Sequence, residues 1–153
     1  LVFDSDQEKT LLKDLEKDSK DLVSRHFIYI YLQDFYYKYR TLGNEYIEKC
    51  KEYCLLDINS LEDMFEAYIK QEIEQVNQLK DVYGDEYTNE RISEIKEQGF
   101  IGRIPAFTRL ANIYEKEGKV DKAIEICNRA IELKQPEEYY QNRIIKLKLK
   151  QSK

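Results

Sequence analysis

Residues 110–133 read LANIYEKEGKVDKAIEICNRAIEL, and this stretch decides the fold of the chain. Apolar residues recur three and four positions apart on both sides of Gly118, which is the pattern of two amphipathic helices joined by a tight turn. Ala111 and Ala123 lack bulk, so the two helices can approach each other closely. Gly118 can adopt the positive φ that the chain needs to leave the first helix. The stretch therefore predicts an antiparallel helical hairpin.

Eight positions of this hairpin follow a fixed spacing. Counted from the first, the offsets are 0, 3, 4, 7, 11, 16, 20 and 23, at Phe107, Leu110, Ala111, Tyr114, Gly118, Ala123, Cys127 and Ala130. These positions resemble the tetratricopeptide repeat (TPR) over residues 104–136. The resemblance implies stacked helix pairs, in which the first helix of each pair lines a concave groove that binds peptides or partner helices. Phe107 stands where the repeat usually has Trp, and Pro136 comes one place late.

A weaker echo of the same pattern lies at about residues 26–58. Tyr39 stands four residues before Gly43, as Tyr114 stands before Gly118. The connection after Gly43 is shorter than the one after Gly118, so this hairpin is expected to splay wider or turn differently. One repeat cannot bury its own faces, and neighbouring hairpins must therefore stack on it.

The composition favours helices throughout the chain. It is 42% hydrophobic and 36% charged with 2 Pro and 5 Gly, and no segment alternates with the period of a strand. The predicted fold is all-α, an array of antiparallel helix hairpins that forms a TPR-like α-solenoid with a C-terminal capping helix. We predict a single domain over 1–153, with an N-terminal helix and degenerate hairpin at 5–58, a long-helix hairpin at 60–99, the TPR hairpin at 104–134 and the capping helix at 136–150.

Three local signals place element ends in the first half of the chain. A break is expected near Asp18, and Gly43 is expected to end the helix that follows. Ser60, with Asp63 three residues later, resembles a capping box and predicts a helix start there. The first three residues, LVF, are expected to be a remnant of an upstream segment.

No residue pattern predicts catalysis. The sequence lacks a nucleophile elbow, a Walker loop, a dinucleotide glycine motif and the His-Glu-x-x-His pattern. Cys50 and Cys54 share a helix face, but His26, the one histidine, is not at ligand spacing, so packed core thiols are favoured over a metal site. The same holds for Cys127, and His26 is expected to be a buried or boundary residue. We expect no enzyme activity, no cofactor and no metal.

Charge and cysteine content limit the partner classes. The net charge of −5 argues against nucleic acid, and no apolar run approaches the length of a membrane span. Three cysteines are an odd number in a chain too large to need disulfides, which favours a reduced, cytoplasmic protein. The lysines near the C-terminus are explained by the helix dipole.

The tyrosine-rich helix over residues 27–39 has two interpretations. Its tyrosines point around the whole helix, so the favoured one is a helix buried between neighbours with each hydroxyl at an edge. The alternative is an exposed aromatic platform for a partner, since tyrosine is enriched at interfaces.

The TPR resemblance also places a partner-binding face on the first helix of the hairpin. An arginine and an asparagine three apart can together hold a peptide carboxylate and backbone. The alternative is a polar surface in which Arg109 bonds to Glu115 or Lys116. The predicted partner-binding residues are Thr108, Arg109, Asn112, Glu115 and Lys116.

The predicted function is a protein- or peptide-binding scaffold without catalytic activity. The first alternative is a peptide-sensing regulatory domain of a larger protein, because the chain starts at Leu1 and an effector domain is expected upstream. An enzyme or an RNA-binding helical repeat is a second alternative. Homo-oligomerisation through an exposed tyrosine face or an uncapped end stays open.

Overall fold

The computed structural model describes residues 1–153 and contains eight helices and no strand. This confirms the predicted all-α fold. None of the helices combines the length and the apolar character needed to cross a membrane. In chain order, α1 to α8 span Ser5–Lys17, Leu22–Lys38, Asn44–Gln78, Lys80–Tyr83, Asp85–Gln98, Ala106–Lys116, Val120–Glu132 and Glu137–Gln151.

The helices stack as consecutive hairpins. Helix α2 packs on α3, α6 on α7 and α7 on α8, while α3 also contacts α6 and so joins the two halves of the molecule. Buried side chains of α2, α3, α6, α7 and α8 form one continuous apolar core. Because that core joins the α2–α3 hairpin to α6, α7 and α8, these helices bury their faces on one another, as stacked repeats require.

The predicted hairpin of α6 and α7 is present with the expected small contacts. Ala111 and Ala123 are fully buried between the two helices. Gly118 has φ of 76°, and the amide of Lys119 donates to the carbonyl of Tyr114 at 2.8 Å to close the turn. A residue with a Cβ would be strained at this φ, so glycine is the residue that the turn requires.

The predicted boundary at residues 58–60 is wrong, because α3 runs without interruption through Ser60. The Ser60 hydroxyl donates to the carbonyl of Asp57 at 3.0 Å, one turn back within the same helix. Serine can bond its own helix in this way as well as cap a new one. Ile58 and Leu61 on either side are buried in the core, so packing holds the helix together across the polar pair.

The ends of α1 and α2 agree in part with those predicted from the sequence. A break follows Lys17, as predicted, and the Asp21 carboxylate caps α2 by accepting from the amide of Ser24 at 3.1 Å. Helix α2 ends at Lys38 and not at Gly43, because the amide of Arg40 bonds three residues back and the chain tightens into turns.

Of the first three residues, Phe3 packs against the core, while Leu1 and Val2 are exposed. The Phe3 ring lies 4.9 Å from Tyr39 and 4.8 Å from Tyr46 between ring centroids. The amide of Asp4 donates to the Tyr39 hydroxyl at 3.2 Å. The N-terminal segment therefore covers one end of the α2–α3 hairpin.

The tyrosine-rich helix is mostly buried, which supports the favoured interpretation over an aromatic platform. Tyr29, Tyr36 and Tyr39 are buried in the core, Tyr37 is half-buried and Tyr31 is exposed. Their hydroxyls reach partners at the edge of the core, and Tyr36 donates to the Glu8 carboxylate of α1 at 2.7 Å.

Candidate functional site

Helices α2, α6 and α8 are linked side by side through their polar side chains. Arg109 of α6 forms an ion pair with Asp34 of α2. On the other side of α6, the Arg143 guanidinium of α8 donates to Asn112 at 2.6 Å and to Glu115 at 3.0 Å. Helices α2 and α6 are each the first helix of a hairpin, and α8 follows the last hairpin. Together they build the face on which the partner-binding residues were predicted.

Two clefts border this face, and Tyr37 lines both of them. The first has a volume of about 260 Å³ and the second about 210 Å³. The guanidinium groups of Arg40 and Arg109 lie 4.0 and 4.9 Å from the centroid of the Tyr37 ring. The first cleft is lined by Tyr37, Arg40, Asn44, Ile47, Ile113, Lys116 and Glu117, and the second by Tyr37, Pro105, Thr108, Arg109 and Asn112.

Four of the five predicted site residues line these clefts. Thr108, Arg109 and Asn112 meet in the second cleft, and Lys116 lies in the first. Glu115 does not line either cleft, because it turns toward α8 and pairs with Arg143 and Lys150. Their role in binding a partner stays a prediction.

The alternative interpretation, in which Arg109 bonds to Glu115 or Lys116 on its own helix, is wrong. Arg109 and Glu115 are six residues apart, and six steps of about 100° put them on different sides of α6. Lys116 carries the same charge as Arg109 and cannot attract it. Asp34 on the neighbouring helix is therefore the partner that Arg109 finds.

The first cleft carries unbalanced positive charge. Neither Arg40 nor Lys116 pairs with a carboxylate, and Arg40 instead donates to the carbonyl of Tyr37 at 2.8 Å. Glu117 is already neutralised, since Lys51 lies 2.9 Å from both of its oxygens. Partial burial would raise the pKa of Glu117, but the bond from Lys51 prevails and holds that pKa below 4.5. Two cations remain beside the apolar side chains of Ile47 and Ile113.

The sequence reasoning missed the residues that α2 contributes. Tyr39 and Tyr114 occupy equivalent places 75 residues apart, so shifting the predicted site by 75 residues gives further positions on the concave face. That shift takes Arg109 to Asp34, Asn112 to Tyr37 and Glu115 to Arg40. All three lie at the clefts or bond to their residues, so the internal repeat held the missing signal.

A buried polar pair holds the chain segment that leads into α6. The Nδ1 atom of His26 lies 2.6 Å from a carboxylate oxygen of Asp57, and its Nε2 donates to the carbonyl of Arg103 at 2.8 Å. Burial raises the pKa of Asp57, and the bond to His26 opposes that rise. His26 is fully buried, as expected, and joins α2, α3 and the linker before α6.

The cysteines are core residues, as expected. Cys50, Cys54 and Cys127 are free and buried, and the Cys50 thiol donates to the carbonyl of Gln33 at 3.4 Å. The hydrogen bond with the neighbouring Cys50, and then burial, raise the pKa of Cys54, so that thiol stays protonated at neutral pH. No group of three or more His, Cys, Asp or Glu side chains is placed to hold a metal ion.

The contact between α6 and α8 predicts a pH-dependent stability. Hydrogen bonds from Lys150, and then from Arg143, hold the pKa of Glu115 below its ordinary 4.5. The pKa of Glu115 is lower in the folded state than in the unfolded state. The stabilisation that Glu115 provides is therefore complete above the unfolded pKa, and it is lost as pH falls through the folded pKa. We expect the gap in unfolding free energy between wild type and Glu115→Gln to shrink between about pH 5 and pH 3. Urea unfolding across that range measures it, and a gap independent of pH would contradict the assignment.

Comparison with known proteins identifies one part of the chain. Residues 104–135 match the family model of the tetratricopeptide repeat, which covers α6, α7 and the turns around them. No curated protein and no solved structure matches the chain. The matched segment is about a fifth of the sequence and coincides with the hairpin whose small residues, Gly118 turn and buried faces are described above. The resemblance predicted from the sequence is confirmed over residues 104–135, which are similar to the tetratricopeptide repeat.

Proposed function

We propose that this protein binds an extended, acidic segment of a partner protein in the two clefts beside Tyr37. Tetratricopeptide repeats are typically non-catalytic protein-interaction modules, which supports a protein partner. The observation that carries the acidic preference is the pair of cations in the first cleft, Arg40 and Lys116, that no carboxylate of the chain neutralises.

The shape and chemistry of the clefts suit a short peptide segment. Side chains on one face of an extended peptide are about 7 Å apart. One such side chain can enter each cleft on either side of Tyr37. In the first cleft, Ile47 and Ile113 offer apolar contact, while Arg40 and Lys116 offer charge-assisted hydrogen bonds to a carboxylate.

The existing ion pairs assign unequal roles to the cleft residues. Arg109 is already bonded to Asp34, and Asn112 accepts from Arg143, so a partner would compete with these contacts. Lys116 makes no such contact, and Arg40 bonds to the carbonyl of Tyr37 but to no carboxylate. We therefore place the main charge recognition on Arg40 and Lys116, and we assign Arg109 and Asn112 chiefly to holding the three helices together.

Selection from a random displayed peptide library tests this function. Enriched peptides are expected to carry aspartate or glutamate close to an apolar residue. Substituting Arg40→Glu and Lys116→Glu together is expected to weaken binding of a selected peptide at least about tenfold, which corresponds to about 1.4 kcal/mol. Isothermal titration of the same peptide against both proteins measures the change.

A matched control separates the cleft from the overall charge. Lys9→Glu with Lys13→Glu makes the same change in net charge on the exposed surface of α1. This control is expected to bind the peptide as wild type does. Enrichment without acidic residues, or equal weakening by both double variants, would contradict the proposal.

A further inference from the structure

The connection between α3 and α5, which contains α4, exposes a group of apolar side chains that do not line the clefts. We call this group the hairpin tip, and its two tyrosine rings lie 5.0 Å apart between centroids. Each member exposes about half of its surface or more, up to 74% for Val82. Clustered apolar exposure of this kind marks an interaction surface. The hairpin tip consists of Leu79, Val82, Tyr83 and Tyr87.

The hairpin that carries the tip is strongly acidic. Residues 70–97 contain eight carboxylates and four cations, a net charge of −4. Two of the cations are already paired within the hairpin, Lys80 with Asp85 and Arg91 with Glu94. Glu86 and Glu90 lie one turn apart beside Tyr87 and have no cation partner. A surface that fits the tip should therefore be both apolar and basic.

The outer face of α8 has these two properties. Ile145 and Leu149 lie one turn apart and are 56% and 60% exposed, while the opposite side of α8 is buried in the core. Lys146 and Lys148 flank this apolar pair on its two sides, and neither makes an ion pair. Residues 137–153 carry five cations and two carboxylates, a net charge of +3. The helix dipole explains lysines here, but it does not explain the exposed isoleucine and leucine.

We propose that the hairpin tip of one molecule docks on the outer face of α8 of a second copy. Contact between two tips would bring together two surfaces of charge −4, and contact between two α8 faces would bring together two of charge +3. Only the pairing of tip with α8 joins opposite charges around apolar side chains. The two patches differ, so the contact is heterologous, and each copy keeps one tip and one α8 face for further copies.

Two complementary variants test this contact in the full chain. The tip variant is Glu86→Lys with Glu90→Lys, and the α8 variant is Lys146→Glu with Lys148→Glu. All four side chains are exposed, so both variants are expected to keep the wild-type thermal melt. Sedimentation velocity over a concentration series is expected to show that wild type self-associates and that each variant alone does so at least about tenfold more weakly.

The decisive measurement mixes the two variants. The tip variant still has a native α8 face, the α8 variant still has a native tip, and the reversed charges of the two variants are complementary to each other. The mixture is therefore expected to associate, although each variant alone does so only weakly. The controls are Asp63→Lys with Glu66→Lys and Lys9→Glu with Lys13→Glu, which make the same charge changes on exposed sites elsewhere. Three results would each overturn the proposal: wild type stays monomeric, the control variants lose self-association as much as the tip and α8 variants do, or the mixture stays monomeric. The cleft residues are unchanged in these variants, so the result is independent of peptide binding.

Discussion

Replacing Asp57 with alanine is expected to lower the free energy of unfolding by about 3–5 kcal/mol. The substitution leaves His26 fully buried without the carboxylate that lies 2.6 Å from its Nδ1 atom. Removing one partner of a buried pair costs far more than the pair contributes, because the remaining polar group stays desolvated. The loss is also expected to loosen the linker before α6, whose Arg103 carbonyl bonds to the same imidazole.

Urea unfolding followed by far-ultraviolet circular dichroism measures this change. Asp63→Ala is the matched control, since it removes an exposed aspartate from the same helix and should alter stability by less than about 0.5 kcal/mol. A loss for Asp57→Ala no larger than that of the control would show that the His26 pair does not hold the fold.

Phe107→Ala is the second substitution with a large expected effect, also about 3–5 kcal/mol. Phe107 is fully buried at the start of α6, and its ring packs edge-on to Tyr140 of α8 at 6.3 Å between centroids. Truncating it leaves a cavity where α6 meets α8. Because the core is continuous, the helices that share it are expected to unfold in one step at a lower urea concentration.

Two probes distinguish a shared core from separate hairpins. The chain has 13 tyrosines and no tryptophan, so near-ultraviolet dichroism reports mainly on tyrosine packing in α2 and α3, while far-ultraviolet dichroism reports on all helices. Coincident transitions in Phe107→Ala agree with one core. An α2–α3 signal that survives after the other helices unfold would contradict it. Tyr31→Ala, at an exposed site on α2, serves as the control.

The TPR hairpin was predictable because its signals are local. The spacing of apolar residues, the small contacts at Ala111 and Ala123 and the turn at Gly118 all lie within one short stretch. The same local reasoning failed at Ser60, where a capping preference is outweighed by burial of Ile58 and Leu61 against other helices. A contact with residues distant in the sequence cannot be predicted from the local pattern of residues.

The site was predictable only where the repeat pattern is strong. Thr108, Arg109, Asn112 and Lys116 follow from the clear repeat, and they line the clefts. The α2 contribution was hidden because bulky Tyr36 stands where the repeat has a small residue, which weakens the alignment of the two hairpins. The pairs of His26 with Asp57 and of Lys51 with Glu117 join residues 31 and 66 positions apart, and no helical period relates such distant residues.

The central claim is that the clefts beside Tyr37 are where a partner peptide binds. Chemical-shift mapping on the isotope-labelled protein, titrated with a selected acidic peptide, tests it most directly. The largest amide shifts are expected at residues that line the two clefts, Arg40, Asn44, Asn112 and Lys116 among them. Shifts concentrated at the hairpin tip or on the outer face of α8, with the cleft amides unmoved, would contradict the claim.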